Sequence, residues 1–329
     1  MPPIDLSQAD IIRDPGLREA AISLGLKLSA RVPDPAPAPV VPARVVQFPL
    51  FPSDTRPVSN DMARSALFSC IQGKDRRFVK DALLATVEGR EIRFTGEQLN
   101  QDDHDLLMQM VFMAQYKPLG SWVMAPAYSI LQALGRQCGG KQYRELRTDI
   151  ARLAASMVII RDTATAREKF GHHLIAKAEQ DEKSRHWIYR LDPDLRSLYG
   201  EMSHTLIDWE QRMALKGKDL ARWLQLYIRS HAKPYPVKVA TLRDLSGSRA
   251  KALKNFRAKL RVALDDLVTI GELSRWEIQP RDLLFVDRGR AISGSQRRHL
   301  GRKQHGLRAA EFCLRRPKTR TQSSRAART

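Results

Sequence analysis

Three cysteines in 329 residues, Cys70, Cys138 and Cys313, stand far apart and form no CxxC pair. That spacing argues against a disulfide scaffold or a thiolate zinc site and fits reduced thiols. Also missing is any apolar run near the ~18 residues a membrane helix needs. The N-terminus carries acids where a signal peptide needs basic and apolar residues. These absences predict a soluble, cytoplasmic protein with no membrane partner. Metal motifs are equally scarce. There is no HExxH and no Cys/His cluster, and the adjacent pair His172-His173 would point to opposite faces of a strand rather than grip one ion. Residues 135–141, GRQCGGK, fit the first seven positions of a P-loop, but Gln142 stands where a Ser or Thr must hold magnesium. That stretch also follows a helical pattern where a P-loop needs a strand. Tyr128, Tyr143, Tyr189, Tyr199 and Tyr227 read as structural rather than nucleophilic. The expectation is therefore no catalysis, no metal and no cofactor, with the work done by binding.

What the chain has in excess is positive charge: 56 Lys and Arg against 36 Asp and Glu, a net +20. Such a balance favours a polyanion partner. The excess is uneven. Residues 1–58 are balanced, residues 288–329 hold thirteen basic side chains and one acidic, and +8 remains for the stretch between. Much of the raw excess is a tail, so specific recognition must be argued from the middle.

The N-terminal part reads as an extension. Residues 14–31 suit one helix, with Asp14 as N-cap and Pro15 at the first helical position. Residues 33–42, PDPAPAPVVP, form a proline-rich linker. Next comes Gln47-Phe48-Pro49-Leu50-Phe51, a polar residue followed by apolar and aromatic anchors on a tether, the form of a short docking peptide. It is similar to the pentapeptide with which bacterial proteins bind the replicative sliding clamp, with Phe48 departing from the usual Leu. The bland alternative is that these residues tuck against the following domain.

From Asp61 the pattern becomes globular. Met62 to Phe68 reads as a helix and Glu91 to Gly96 as a strand. Asp102 to Tyr116 is a helix whose Met-rich side suits a core. Trp122 to Met124 is extended, Ala127 to Leu134 helical, and Lys141 to Ala155 helical after a break at Gly139-Gly140. Val158 to Ile160 is a strand. His173 to Ala178 and Trp187 to Leu191 form a hairpin. This order is that of a winged helix, a helix-turn-helix with an appended β-hairpin.

The order returns in Leu220 to His231, Val237 to Ala240, Thr241 to Leu245, Arg249 to Val268, and a hairpin of Leu273 to Gln279 with Leu283 to Asp287. The two copies superpose on one offset of 114 residues, with Leu106 on Leu220, Met110 on Leu224, Val123 on Val237 and Ile150 on Leu264. The long helix of the second copy, within 248–268, sets an apolar stripe of Leu253, Phe256, Leu260, Leu264 and Leu267 beside Lys251, Lys254, Arg257 and Arg261. The basic residues crowd its N-terminal half, where the helix dipole disfavours cations and nearby phosphates would offset the cost. Lys141, Gln142, Arg144, Arg147 and Arg152 hold the matching positions in the first copy. The predicted fold is α+β and helix-rich, with two tandem winged-helix domains: an extension over 1–58, domains over 59–200 and 201–287, and a basic tail over 288–329.

Several blocks in order carry a family resemblance: Arg64-Ser65-Ala66-Leu67-Phe68, Glu91 to Gly96, Arg152-Leu153-Ala154-Ala155, Tyr189-Arg190-Leu191-Asp192-Pro193 and, most distinctive, Ser230-His231-Ala232-Lys233-Pro234-Tyr235-Pro236. Over roughly residues 45–287 the chain resembles the TrfA-type plasmid replication initiators. The resemblance implies binding to direct repeats (iterons) at an origin, opening of an adjacent A+T-rich segment, with its single-stranded DNA as a further ligand, and recruitment of host DnaA, DnaB helicase and the sliding clamp. It further implies a homodimer in equilibrium with an active monomer, and it turns Gln47, Phe48, Leu50 and Phe51 into a clamp-binding site. The tail falls outside it.

Within this reading each long helix enters a major groove. Lys141, Gln142, Arg144 and Arg147 serve in the first domain, and Lys251, Lys254, Asn255, Arg257 and Arg261 in the second. Lys183, Arg185 and Arg281 add wing contacts. Asn255 and Gln142 suit adenine, and Arg257 suits guanine. A winged-helix repressor without initiation activity is the alternative. It would share the helices and have no use for residues 47–51.

Overall fold

Two hydrophobic cores organise the residues that the computed structural model describes, namely 47–289 apart from Glu182 and Glu201, together with Pro15 and Glu19. The linker 33–42, most of the helix expected over 14–31 and the tail from residue 290 lie outside the described residues.

Strand β1 (Thr55–Ser59) runs into a single helical turn, α1 (Asn60–Ala63). The helix expected to continue to Phe68 stops there. Ser65 donates its hydroxyl back to the Met62 carbonyl, and the Ala66 amide bonds the Ala85 carbonyl instead of a helical partner. Strands β2 (Phe68–Ser69), β3 (Phe78–Leu84), β4 (Arg90–Glu97) and β5 (Leu99–Asn100) follow. Helix α2 (Gln101–Ala114) opens on a capping box: the Asn100 side chain accepts from the amides of Asp102 and Asp103, and Asp103 accepts from the Asn100 amide at 2.9 Å.

After α2 come β6 (Val123–Pro126), the short helix α3 (Ala127–Ala133) and the long helix α4 (Gly140–Ala155). Strands β7 (Met157–Asp162), β8 (Arg167–His173), β9 (Ile175–Gln180) and β10 (His186–Leu191) complete this half. The β9–β10 hairpin pairs with β6 in a three-stranded sheet of order β6-β10-β9. The β7–β8 hairpin, of which the sequence showed only the first strand, joins β3 and β4 in a four-stranded sheet.

Strand β11 (His204–Asp208) pairs antiparallel with β1, so residues flanking the first half close on each other. Helix α5 (Trp209–Ala214) then leads to α6 (Asp219–Ser230), β12 (Val237–Lys238), α7 (Val239–Leu245), the long α8 (Leu253–Thr269), β13 (Leu273–Gln279) and β14 (Leu283–Arg288). The order helix, strand, short helix, long helix and hairpin thus occurs twice. The 114-residue offset holds to the ends of α4 and α8, at Ala155 and Thr269, and lapses beyond them because the first copy carries the β7–β8 insertion.

The first core gathers Leu106, Met110, Leu146, Ile150, Leu153 and Tyr189, and the second Trp223, Leu224, Phe256, Leu260, Leu264 and Leu267. Between them lies a buried ionic seam. Arg212 donates to Asp105 at 2.6 Å, to Gln101 at 2.8 Å and to the Arg222 carbonyl at 2.6 Å. Arg222 donates to Asp105 and Asp102, both at 2.8 Å, and to Asp219 at 2.5 Å. A buried pair of this kind adds little net stability against an apolar pair of the same volume, but it punishes loss of one partner. It fixes α2 against α6, and thereby the two long helices against each other.

Candidate nucleic-acid interface

Helix α4 buries Leu146, Ile150 and Leu153 and leaves Lys141, Arg144 and Arg147 exposed, three cations about one turn apart on one side. Gly139 stands at its N-cap with no side-chain acceptor, so the first amides of α4 meet solvent among cations. Beside them opens a cleft of about 310 Å³, lined by Gly140, Tyr143, Arg144, Arg147, Gln180 and Arg185. The β9–β10 hairpin closes one wall: the Arg185 guanidinium lies 5.2 Å from the Tyr143 ring centre, and Gln180 accepts from Arg147 at 2.8 Å. On the other flank a larger polar cleft of about 700 Å³ includes Lys141, Gln142, Arg144, Arg136, Arg76 and Lys216. The Lys216 ammonium caps the end of α3 on the carbonyls of Leu134, at 3.0 Å, and of Gly135.

The expected residues Lys141, Gln142, Arg144, Arg147 and Arg185 therefore share one basic face, and exposed Lys183 stands in the same hairpin turn. Arg152, expected beside them, belongs elsewhere. It is 8% exposed and donates to Asp103 at 2.6 Å and Asp149 at 3.0 Å. Burial opposes its charge, but the carboxylates of Asp103 and Asp149 more than offset this and hold it cationic. Arg152 pins α4 to the cap of α2, so its charge is engaged within the fold although it lines the larger cleft.

In the second half the helix begins later than expected. The turn Ser246-Gly247-Ser248 closes α7, with Gly247 at φ +62°, and Arg249 is tied to the Asp75 carbonyl and, at 2.5 Å, to Gln98. Helix α8 starts only at Leu253, so Lys251 precedes it and is exposed in the lead-in turn. Lys254, Asn255 and Arg261 are exposed on α8, together with Lys259, which the apolar–basic stripe had not singled out.

Arg257, expected to read a base, is engaged within the fold. Its Nε and Nη2 donate to the two carboxylate oxygens of Asp282 at 3.0 and 2.7 Å. This pair ties α8 to the β13–β14 turn. Arg281 at that turn has φ 68° and Arg185 at the β9–β10 turn has φ 54°, both in the left-handed region. The two expected wing arginines thus stand exposed in matching backbone conformations. Both turns hold strain of a kind found at functional sites.

Residues 47–51 lie against the first core. Phe48 and Phe51 are 4% and 5% exposed, and Phe48 meets Tyr199 edge-on at 5.4 Å. The Gln47 side chain donates to the Gln115 carbonyl at 2.7 Å, and the Phe51 amide donates to the Gln115 side-chain oxygen at 2.5 Å. Gln47, Pro49 and Leu50 face solvent, and Leu50, at 68% exposure, is the one anchor left in the open. The expectation of exposed anchors is corrected: two aromatic rings gain more by burial than by waiting in water.

Tyr143, Gln180, Arg136 and Lys216 complete the basic face and were not among the expected site residues. Tyr143 was readable as the residue between Gln142 and Arg144. Gln180, Arg136 and Lys216 reach the cleft only through tertiary folding.

A family model described as TrfA protein matches residues 44–287. The Plasmid replication initiator protein TrfA of Escherichia coli is 26% identical over 230 residues, 66% of this chain and 58% of that protein. This chain therefore matches little more than half the length of that relative. Among solved structures, a crystal structure of domains 2 and 3 of RctB matches at 13% identity and TM-score 0.49, over 70% of this chain and 99% of that one. The Pi initiator protein in complex with iteron DNA matches at 13% identity and TM-score 0.44, over 61% of this chain and 99% of that one. With the family match covering most of its length, the chain belongs to the TrfA protein family.

Proposed function

We propose that this chain is a plasmid replication initiator that binds direct-repeat iterons at an origin in the bacterial cytoplasm. The observation that supports it most is the twofold occurrence of one helix-and-hairpin order, each copy with cations at the N-terminal half of its long helix. We read both copies as winged helices. Helices α4 and α8 enter successive major grooves, and Arg185 and Arg281 bring the wings onto flanking phosphates. Two modules about one helical turn apart call for a site of roughly 20 bp. The base readers are then half-buried Gln142 and exposed Asn255, whose amides suit adenine, while Lys141, Lys254 and Arg261 hold the backbone.

In this reading iteron binding strains an adjacent A+T-rich segment open, and host DnaA, DnaB helicase and the sliding clamp are the protein partners. Exchange between homodimer and monomer sets activity. A repressor would share the helices but not the replication readout. The test is binding to the direct repeats beside the gene, with a random duplex as control, and replication of a small circle carrying gene and repeats. Asn255→Ala should lose preference for the repeats and so lose replication. Equal binding of repeats and random duplex by the unaltered chain would remove the initiator reading.

A further inference from the structure

His172 faces a carboxylate at each of its ring nitrogens. Its Nδ1 lies 3.8 Å from Asp192 Oδ2, and its Nε2 lies 2.9 Å from Asp194 Oδ2. A neutral imidazole carries a single N–H, so one of these two contacts sets lone pair against lone pair. One ligand atom from each of the three residues falls within 4.8 Å of the other two. The group is assembled by the fold, since His172 lies in β8 and the two aspartates lie well beyond it in the chain. Strand β8 is the outer strand of the order β3-β4-β7-β8, and Asp192 and Asp194 open the short 3-10 helix Pro193–Leu198 that follows β10. Asp192 is held in place: its Oδ1 accepts from the Asp194 amide at 2.8 Å, which leaves Oδ2 toward His172. The Ser197 hydroxyl donates to the Lys169 carbonyl at 2.7 Å and ties the 3-10 helix to β8. His173 follows on the opposite face of the strand.

We propose that His172, Asp192 and Asp194 form a site for a divalent transition ion such as Zn²⁺, and that the ion staples edge strand β8 to the chain leaving β10. This departs from the expectation of no metal, which rested on spacing along the sequence. One imidazole nitrogen with two carboxylate oxygens is a donor set that such ions accept, whereas Mg²⁺ and Ca²⁺ take shells of oxygen and gain little from imidazole. Zinc holds nitrogen and oxygen ligands at about 2.0–2.2 Å in a tetrahedron, which places neighbouring ligand atoms roughly 3.4 Å apart. The separations of 3.8 and 2.9 Å bracket that spacing. The Asp194 side chain, 64% exposed, has room to turn onto a shared ion, and water takes the fourth position. A cation there relieves both the lone-pair contact and the repulsion between the carboxylates. Without one, an exposed histidine–aspartate group adds little to stability. The staple has a use at this place. Strand β8 belongs to the insertion that the second copy lacks, and its outer edge has no ladder partner among the described residues.

The site stands apart from the DNA-binding reading, and its test needs no DNA. The full chain, stripped with a chelator, is titrated calorimetrically with Zn²⁺ and with Mg²⁺, as wild type, His172→Ala, Asp192→Asn, Asp194→Asn and His173→Ala. His172→Ala and Asp194→Asn alter exposed side chains, and Asp192→Asn keeps an acceptor oxygen for the Asp194 amide, so the fold survives all three. Each of the three should weaken Zn²⁺ by about 10–100-fold or more. His173→Ala should leave the affinity unchanged, and Mg²⁺ should bind far more weakly than Zn²⁺. Zn²⁺ should also slow amide hydrogen exchange in β8 and over 193–198 in the wild type, and not in His172→Ala. Wild-type Zn²⁺ affinity in His172→Ala would place the ion on Cys138 or on other histidines and overturn the site. Absence of Zn²⁺ binding by the wild type at millimolar ion would overturn it as well.

Discussion

Arg257 of α8 and Asp282 of the β13–β14 turn are joined by two hydrogen bonds, at 3.0 and 2.7 Å, in a side-by-side geometry. The pair holds a turn in which Arg281 and Asp282 both adopt positive φ, at 68° and 57°. Its groups are about a third exposed, so its contribution to stability is modest, on the order of 0.5–1 kcal/mol. If Arg281 contacts DNA as proposed, the consequence for binding is larger, because the pair holds the turn that carries Arg281. If Arg257 acts by holding the wing, Arg257→Ala and Asp282→Ala should weaken duplex binding by similar factors, and the double variant should be no weaker than either. A double-mutant cycle measured by binding titration checks this. Additive losses would return Arg257 to the role of a DNA contact.

Arg222 and Asp105 form the centre of the seam between the two cores. Both are buried, 2% and 4% exposed, so removing one leaves the other charged in a dry interface. Asp105→Ala should cost about 3–5 kcal/mol of stability in urea unfolding. It should also blunt discrimination between correctly and wrongly spaced double sites, since the seam fixes α4 relative to α8. A variant that keeps full stability would show that the seam is already hydrated.

How far the site could be read in advance divides along this seam. The long helices, their basic faces and the repeated order follow from periodicity, because apolar residues at spacings of three and four leave few other folds for the segment. The roles of Arg152 and Arg257 could not be read that way. Both occupy basic-stripe positions like Arg144 and Lys254, and only the tertiary neighbours, Asp103 for one and Asp282 for the other, divert them from solvent. The β7–β8 insertion escaped for a similar reason. Strand β8, REKFGHH, is mostly charged and polar with one Gly and little alternation, and it is a strand because β7 offers it a ladder.

His231 sits in the block Ser230 to Pro236, its Nδ1–H donating to the Tyr227 carbonyl at 2.7 Å. Burial first, and then Arg64 and Arg288, push its pKa down to about 4. The unfolded chain keeps an ordinary histidine near 6.5. Between these values the unfolded chain carries a proton that the folded chain refuses, so stability falls as pH drops from about 6.5 to 4 and changes little from this group outside that window. His104, buried near Arg212 and Arg222, shifts in the same direction. His231→Asn, whose amide nitrogen can donate to the same carbonyl, should flatten the acid limb of a stability–pH curve measured by urea unfolding. An unchanged slope would assign the acid sensitivity to the other buried histidines held low by burial, His104 and His204, instead.

Phe51 and Leu50 are neighbours with opposite environments, and this divides what their substitutions should do. Phe51→Ala removes a ring that is 5% exposed and should cost about 3–5 kcal/mol of stability, whereas Leu50→Ala, at 68% exposure, should cost under about 0.5 kcal/mol. If residues 47–51 also dock on a sliding clamp, as proposed, Phe48 and Phe51 must first leave the core. The intact chain then bears that cost, while a free peptide of residues 46–52 does not. The peptide should therefore bind the clamp more tightly than the full chain in a competition titration, and Leu50→Ala should weaken both equally. Tighter binding by the full chain would mean that other surfaces, and not this segment, carry the contact.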